Sequence, residues 1–126
     1  MTRTELSLRL ANSPGALAGV CRLLSNAHVN VLALSLEGGG QLRLVVDNHV
    51  RGAAVLREHH HLVSERDVIA TTVFNSPGGL ALPLQLLSEA AVSVEYAYGG
   101  GTDGGESATI VIGVGDAQRA AAAAGI

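Results

Sequence analysis

Aromatic side chains are almost missing from this chain, with one Phe (Phe74), two Tyr (Tyr96 and Tyr98) and no Trp among 126 residues. Without aromatic platforms there is little on which to stack bases, which argues against a single-stranded nucleic-acid binder. Charge is scarce too, at 15 %, and eight Lys plus Arg against eleven Asp plus Glu leave a net charge of −3. A phosphate backbone is held by clustered cations, so no nucleic-acid partner is expected. A single cysteine, Cys21, excludes an internal disulfide and any CxxC redox or zinc motif. That usage, with no secretory apolar segment after Met1 and no membrane-length apolar run, leads to an expected cytoplasmic location with no membrane partner. Aliphatic residues are what the chain has in plenty. With 48 % hydrophobic residues it carries material for an aliphatic core, in one ordinary domain or two very small ones.

The dominant pattern is an internal repeat. Asn12-Ser13-Pro14-Gly15 recurs as Asn75-Ser76-Pro77-Gly78, an offset of 63 residues, half the chain. Between Asn12 and Val31 that offset matches 12 of 20 positions, including Leu17/Leu80, Leu23/Leu86, Leu24/Leu87, Val29/Val92 and Val31/Val94. The repeating unit is therefore a supersecondary structure of about 60 residues. It divides the chain into residues 1–66 and 67–126.

In the first unit, Leu6, Leu8 and Leu10 alternate with Glu5, Ser7 and Arg9, the period of a half-buried strand. Ser13 reads as an N-cap with Pro14 at the first helical position. Leu17, Val20, Cys21 and Leu24 form one apolar helical stripe, which makes Cys21 a buried small hydrophobe. Strands are expected over 29–37 and 41–47, turned by Gly38-Gly39-Gly40, then a helix toward His59 and a short strand over 61–65. The second unit repeats the order with a strand over 68–74, a helix from about Leu80, strands over 92–98 and 107–114, and a helix over 116–124. Pro83 is tolerated only if regular helix begins near Leu80. No residues remain after Ile126 for a fourth strand. Either another segment or partner completes that sheet, or the 68–74 strand lies on an open edge.

A βαββαβ unit entered through an Asn-x-Pro-Gly loop, with Val29-Asn30-Val31 following the helix, resembles the ACT domain. Two in tandem resemble the free-standing tandem ACT-domain proteins. The resemblance implies an α+β fold of two ferredoxin-like units, antiparallel sheets with helices on one face, the second lacking its last strand. It also implies side-by-side pairing and an amino acid bound at the interface between units, beside the first loop. On that reading the ligand-binding residues are Asn12, Ser13, Gly15, Ala16, Leu17 and Asn30, with Asn75, Ser76, Gly78, Gly79, Leu80 and Ser93. By similarity to serine-responsive ACT domains, the loop asparagine of one unit faces the second-strand position of another. Asn75 then faces Asn30, and Asn12 faces Ser93, so the two pockets differ and the first of these pairs is the stronger. The histidine that the serine-responsive pattern places before the loop is replaced here by Leu10 and Val73.

The residues themselves suit such a ligand. Amides at a helix N-terminus favour a carboxylate, glycines allow close approach, and asparagine offers both donors and an acceptor. A purely conformational reading competes, because Asn, Ser, Pro and Gly serve equally at caps and turns. His59-His60-His61 reads as a solvated helix end and not as a metal site, and Gly99–Gly105 reads as a long flexible hairpin loop without the GK[ST] of a phosphate cradle. Glu37, Glu58, Glu65 and Glu95 show no evident partners, and no nucleophile–base pair stands at a recognisable spacing. The expectation is a non-catalytic regulatory module without cofactor or metal. Its expected partners are a free amino acid, a second copy in a homodimer, and a regulated enzyme. The alternative is a ligand-free protein–protein dimerisation module.

Overall fold

The computed structural model describes residues 1–126. Its elements in chain order are β1 (Thr2–Arg9), α1 (Ala16–Asn26), β2 (Val31–Leu36), β3 (Gln41–Val46), α2 (His49–Glu58), β4 (Ser64–Phe74), α3 (Ala81–Glu89), β5 (Tyr96–Gly101), β6 (Ser107–Gly113) and α4 (Ala117–Ala124). They form two tandem ACT-like units with antiparallel strands. The compact groups are Thr4–Arg66, and Asp67–Ile126 together with Met1–Arg3.

In the first unit the strands run β2-β3-β1, with Leu8 opposite Leu42 and Leu36 also opposite Leu42. The alternation of β1 sends Leu6, Leu8 and Leu10 into a core shared with Val20 and Leu24 of α1 and Ala53 and Leu56 of α2. Cys21, expected in that core, is only half-buried. In the second unit the order is β4-β6-β5, with Thr71 opposite Ile110 and Tyr98 opposite Val111. Ile69, Ile110, Ile112 and Leu87 centre its core, and α4 contributes alanines alone, Ala117, Ala120 and Ala121 with the half-buried Ala124.

Three expectations are corrected. The strands expected at 61–65 and 68–74 are one, β4, whose residues Ser64–Arg66 group with the first unit and the rest with the second. The edge of the second unit is not left bare, because the Ala70 N–H donates to the Met1 carbonyl at 2.9 Å. Another segment thus takes the place of the missing strand, and that segment is the chain's own first residues. Finally, the strand expected over 92–98 starts only at Tyr96, and Gly99–Gly101 do not belong to a loop. They extend β5 opposite Ile110, Thr109 and Ala108, leaving only residues 102–106 as the turn. Glycine has no side chain to pack in a strand, and what holds these three in β5 is their register along β6.

The ends of the elements repeat more faithfully than their interiors. Asn48 accepts the Arg51 N–H, and Asp116 accepts the Arg119 N–H, each at 3.1 Å. These caps stand 68 residues apart and not 63, so the second hairpin holds five extra residues. All four helices close with the same amide-to-carbonyl bond across the cap: Val29 to Leu24, His61 to Leu56, Val92 to Leu87 and Ile126 to Ala121. The residue in the left-handed conformation is His28, His60, Ala91 and Gly125 in turn. Pro83 falls at the third helical position of α3, where its missing amide hydrogen has no intrahelical acceptor to lose.

Candidate functional site

The two Asn-Ser-Pro-Gly loops share one backbone geometry, and it is not the cap expected for Ser13. The Ser13 carbonyl accepts the Ala16 N–H at 3.3 Å, and Gly15 lies at φ 81°, ψ −2°. That is a type II β-turn, with proline second and glycine third, so Pro14 precedes the helix and does not begin it. The second loop repeats it. Ser76 accepts the Gly79 N–H at 2.9 Å and Gly78 lies at φ 87°. Neither α1 nor α3 receives a side-chain cap. The amides of Leu17 and Ala18 in the first turn of α1 carry no hydrogen bond within the chain, and neither do those of Ser76 and Gly78 in the loop before α3. Such amides are the donors that a carboxylate needs.

Each loop borders a cavity. The first, of about 370 Å³, is lined by Leu10–Ser13, Gly15–Ala18, Leu36–Gly38 and Gly40, which includes the candidates Asn12, Ser13, Gly15, Ala16 and Leu17. The second, of about 780 Å³, includes Asn75, Ser76 and Gly79, with Leu82, Pro83 and Leu86 of α3 as its apolar wall. Gly78 and Leu80 stand in the same loop without lining that space. Gly79 has no freedom to change, because a Cβ there would meet the Phe74 carbonyl oxygen at 1.9 Å.

The two loop asparagines differ in what they already hold. Asn12 is exposed and its side chain makes no hydrogen bond. Asn75 donates both amide hydrogens, to the Thr102 carbonyl at 2.8 Å and the Gly105 carbonyl at 3.0 Å. Only its Oδ1 is left as an acceptor. Asn30 and Ser93 are exposed and line neither cavity. Within one unit the loop and the second-strand position stand at opposite ends of a helix, about 16 Å apart for the eleven residues of α1. No single unit can therefore bring Asn12 to Asn30, or Asn75 to Ser93.

Several residues at the site escaped sequence reasoning. Glu106, exposed and without an ion pair, lines the second cavity, and Glu37 lines the first. Glu37, which shows no partner in the sequence pattern, meets Arg43 at 3.2 Å, and Arg43 also lies 3.7 Å from the buried Glu5. Glu65, which likewise shows none there, meets Arg57 at 3.1 Å. Neither pairing has a local signal: Glu37 meets Arg43 across the β2–β3 hairpin, and Glu65 at the start of β4 meets Arg57 in the last turn of α2. Tyr96 and Tyr98, on one face of β5, stack with centroids 6.4 Å apart. His59 and His60 are exposed beyond α2, and no group of three or more His, Cys, Asp or Glu side chains is arranged to hold a metal ion. No helix is long and apolar enough to cross a membrane.

The family model of the ACT domain pair matches residues 1–122. No curated protein matches the chain in sequence. Among solved structures, a Bacteroides thetaiotaomicron protein is similar at 28% identity and TM-score 0.87, over 98% of this chain and 86% of that one. The regulatory subunit of aspartate kinase from Thermus flavus is similar in fold at 15% identity and TM-score 0.68, over 98% of this chain and 87% of its own. Aspartokinase III of E. coli, in complex with lysine and aspartate, is similar in fold at 16% identity and TM-score 0.59, over 94% of this chain and 29% of its own.

Proposed function

The chain belongs to the ACT-domain-pair family, and from that premise we propose that it is a non-catalytic regulatory module. It binds a small amino acid beside its Asn-Ser-Pro-Gly loops, where two ACT-like units meet, and signals occupancy to a regulated enzyme. The observation that carries this reading is the repeated loop, which leaves amides unbonded beside each cavity: Leu17 and Ala18 at the start of α1, and Ser76 in the turn before α3. The fold likeness to the regulatory subunit of one aspartate kinase, and to another solved with lysine and aspartate, supports an amino acid as effector. The binding residues are Asn12, Ser13, Gly15, Ala16 and Leu17 of the first loop and Asn75, Ser76, Gly78, Gly79 and Leu80 of the second, with Asn30 paired to Asn75 and Ser93 paired to Asn12.

A thermal-shift screen against the twenty amino acids, followed by calorimetric titration of each hit, tests the reading. A ligand at 100 times its Kd raises stability by about 2.7 kcal/mol, which is visible as a raised midpoint. Asn75→Ala and Asn30→Ala are expected to weaken binding more than Asn12→Ala. A flat screen overturns the sensor reading and leaves the second one, a ligand-free dimerisation module. One observation favours that second reading: Leu32, Leu34 and Leu36 are exposed along the edge strand β2.

A further inference from the structure

The internal repeat shows where the larger cavity comes from. Leu8, Leu10 and Leu56 are buried in the first unit. At the corresponding places in the second stand Thr71 and Val73, 63 residues on, and Ala124, 68 residues on beyond the longer hairpin. All three are smaller and only half-buried. The void is bordered by Ile126 and by α3, where Leu82 replaces Gly19 and Pro83 replaces Val20. Two of them, Thr71 and Val73, line the void; interiors are normally filled to the density of organic crystals, so these shortened side chains mark a place that the chain leaves unfilled. Leu82 and Phe74 at this cavity are exposed by 64% and 82%, a large apolar surface for so small a unit.

The charge at the cavity has one sign. Glu106 brings a carboxylate without an ion pair, Asn75 has only its Oδ1 left to offer, and no arginine lines the space. An apolar well beside two acceptors complements an ammonium group carried on an aliphatic body. The first cavity offers neither. Its glutamate, Glu37, is already paired with Arg43, and glycine and alanine make up much of its lining.

We infer that the second-unit cavity selects an amino acid with a branched aliphatic side chain, leucine, isoleucine or valine. The side chain lies between Leu82, Leu86 and Ile126, and the ammonium faces Glu106 and the Asn75 Oδ1. The carboxylate falls to the unbonded Ser76 N–H at the cavity edge. This rests on the amino-acid-binding reading above and gives it a substrate class.

Calorimetric titration of the full chain with leucine, serine, alanine and 4-methylpentanoate, which is leucine without its amine, is the test. Leucine is expected to bind at least ten-fold more tightly than serine or alanine, and loss of the amine to weaken binding at least ten-fold. The double change Thr71→Leu, Val73→Leu restores the first unit's residues. It should weaken leucine at least ten-fold while the unfolding midpoint of the free protein holds or rises. Leu82→Gln, at an exposed position that folding does not depend on, should weaken leucine several-fold. Glu106→Gln should weaken leucine without changing the binding of 4-methylpentanoate. Equal or tighter binding of serine or alanine, or leucine affinity unmoved by both cavity changes, overturns this inference and leaves the amino-acid-binding reading standing. Failure of every amino acid to bind overturns that reading and this one with it.

Discussion

The first unit closes around twelve buried core residues and the second around eight, although both are built from one repeated plan. What the two keep in common is backbone: the type II turn before the helix, the side-chain cap on the second helix, and the cross-cap bond at every helix end. What they do not share is filling. The first unit places leucine at the positions where its strand and second helix face the core, and the second places threonine, valine and alanine there. Duplication thus preserved the devices that fix chain direction, whose geometric demands are absolute. Side-chain volume was free to diverge, because a cavity costs stability in proportion to its size and does not forbid the fold.

The sharpest way to break this contrast is to give the first unit the second unit's residue. Leu56 is fully buried, and its counterpart is Ala124. Leu56→Ala is expected to cost about 2–5 kcal/mol in denaturant unfolding, the range for a buried leucine emptied into a cavity. Ala124→Leu should leave stability unchanged or raised. A cost below 1 kcal/mol at Leu56 would mean that the two interiors are equally loose.

Next comes the position where the repeat differs by one methyl group. Ala16 in the first loop corresponds to Gly79 in the second, where a Cβ would overlap the Phe74 carbonyl. Gly79→Ala must move backbone, at a cost of about 1–3 kcal/mol, whereas Ala16→Gly should cost at most about 1 kcal/mol. Equal small effects in denaturation would show that the two loops relax alike.

The asparagines give a smaller contrast. Asn75→Ala removes two hydrogen bonds to the carbonyls of Thr102 and Gly105, each contributing about 0.5–1.5 kcal/mol. Asn12→Ala removes none within the chain and should stay within about 0.5 kcal/mol. Amide exchange over residues 102–106 should quicken in the Asn75 variant alone. If it does not, the side chain is not what holds that loop.

How far these differences were legible follows from what a linear pattern records. The repeat, the helix stripes, the first hairpin and the family resemblance all stood in the sequence because period and spacing are one-dimensional, whereas the strand expected over 92–98 is β5, Tyr96–Gly101. A type II turn and a helix cap use the same residues, and only the φ of Gly15 separates them, so Ser13 shows as a cap in the pattern and as a turn in the fold. The fusion of two expected strands into β4 was hidden because Arg66-Asp67 looks like a linker until both sides find partners. The covering of Ala70 by Met1 lies 69 residues away in the chain and leaves no local mark. Glu106 was passed over for a related reason: the five-residue insertion that carries it falls outside the 63-residue match.

The smallest effect tests the feature the units share most closely. His28 and Ala91 occupy the same place in the repeat, both at φ 58°, and both follow a helix whose last carbonyls are satisfied by the next two amides. A left-handed conformation crowds the Cβ of any residue but glycine, and the fourth helix uses Gly125 at the equivalent place. Ala91→Gly should therefore stabilise the chain by about 0.5–1 kcal/mol, offset in part by the greater freedom of glycine in the unfolded chain. His28→Gly should gain about as little or less, since histidine enters this region more readily than alanine. Both changes leave the cavities and loops untouched, so a stability gain without any shift in ligand affinity is expected from each. A gain at one site and a loss at the other would mean that the helix ends, like the interiors, have diverged.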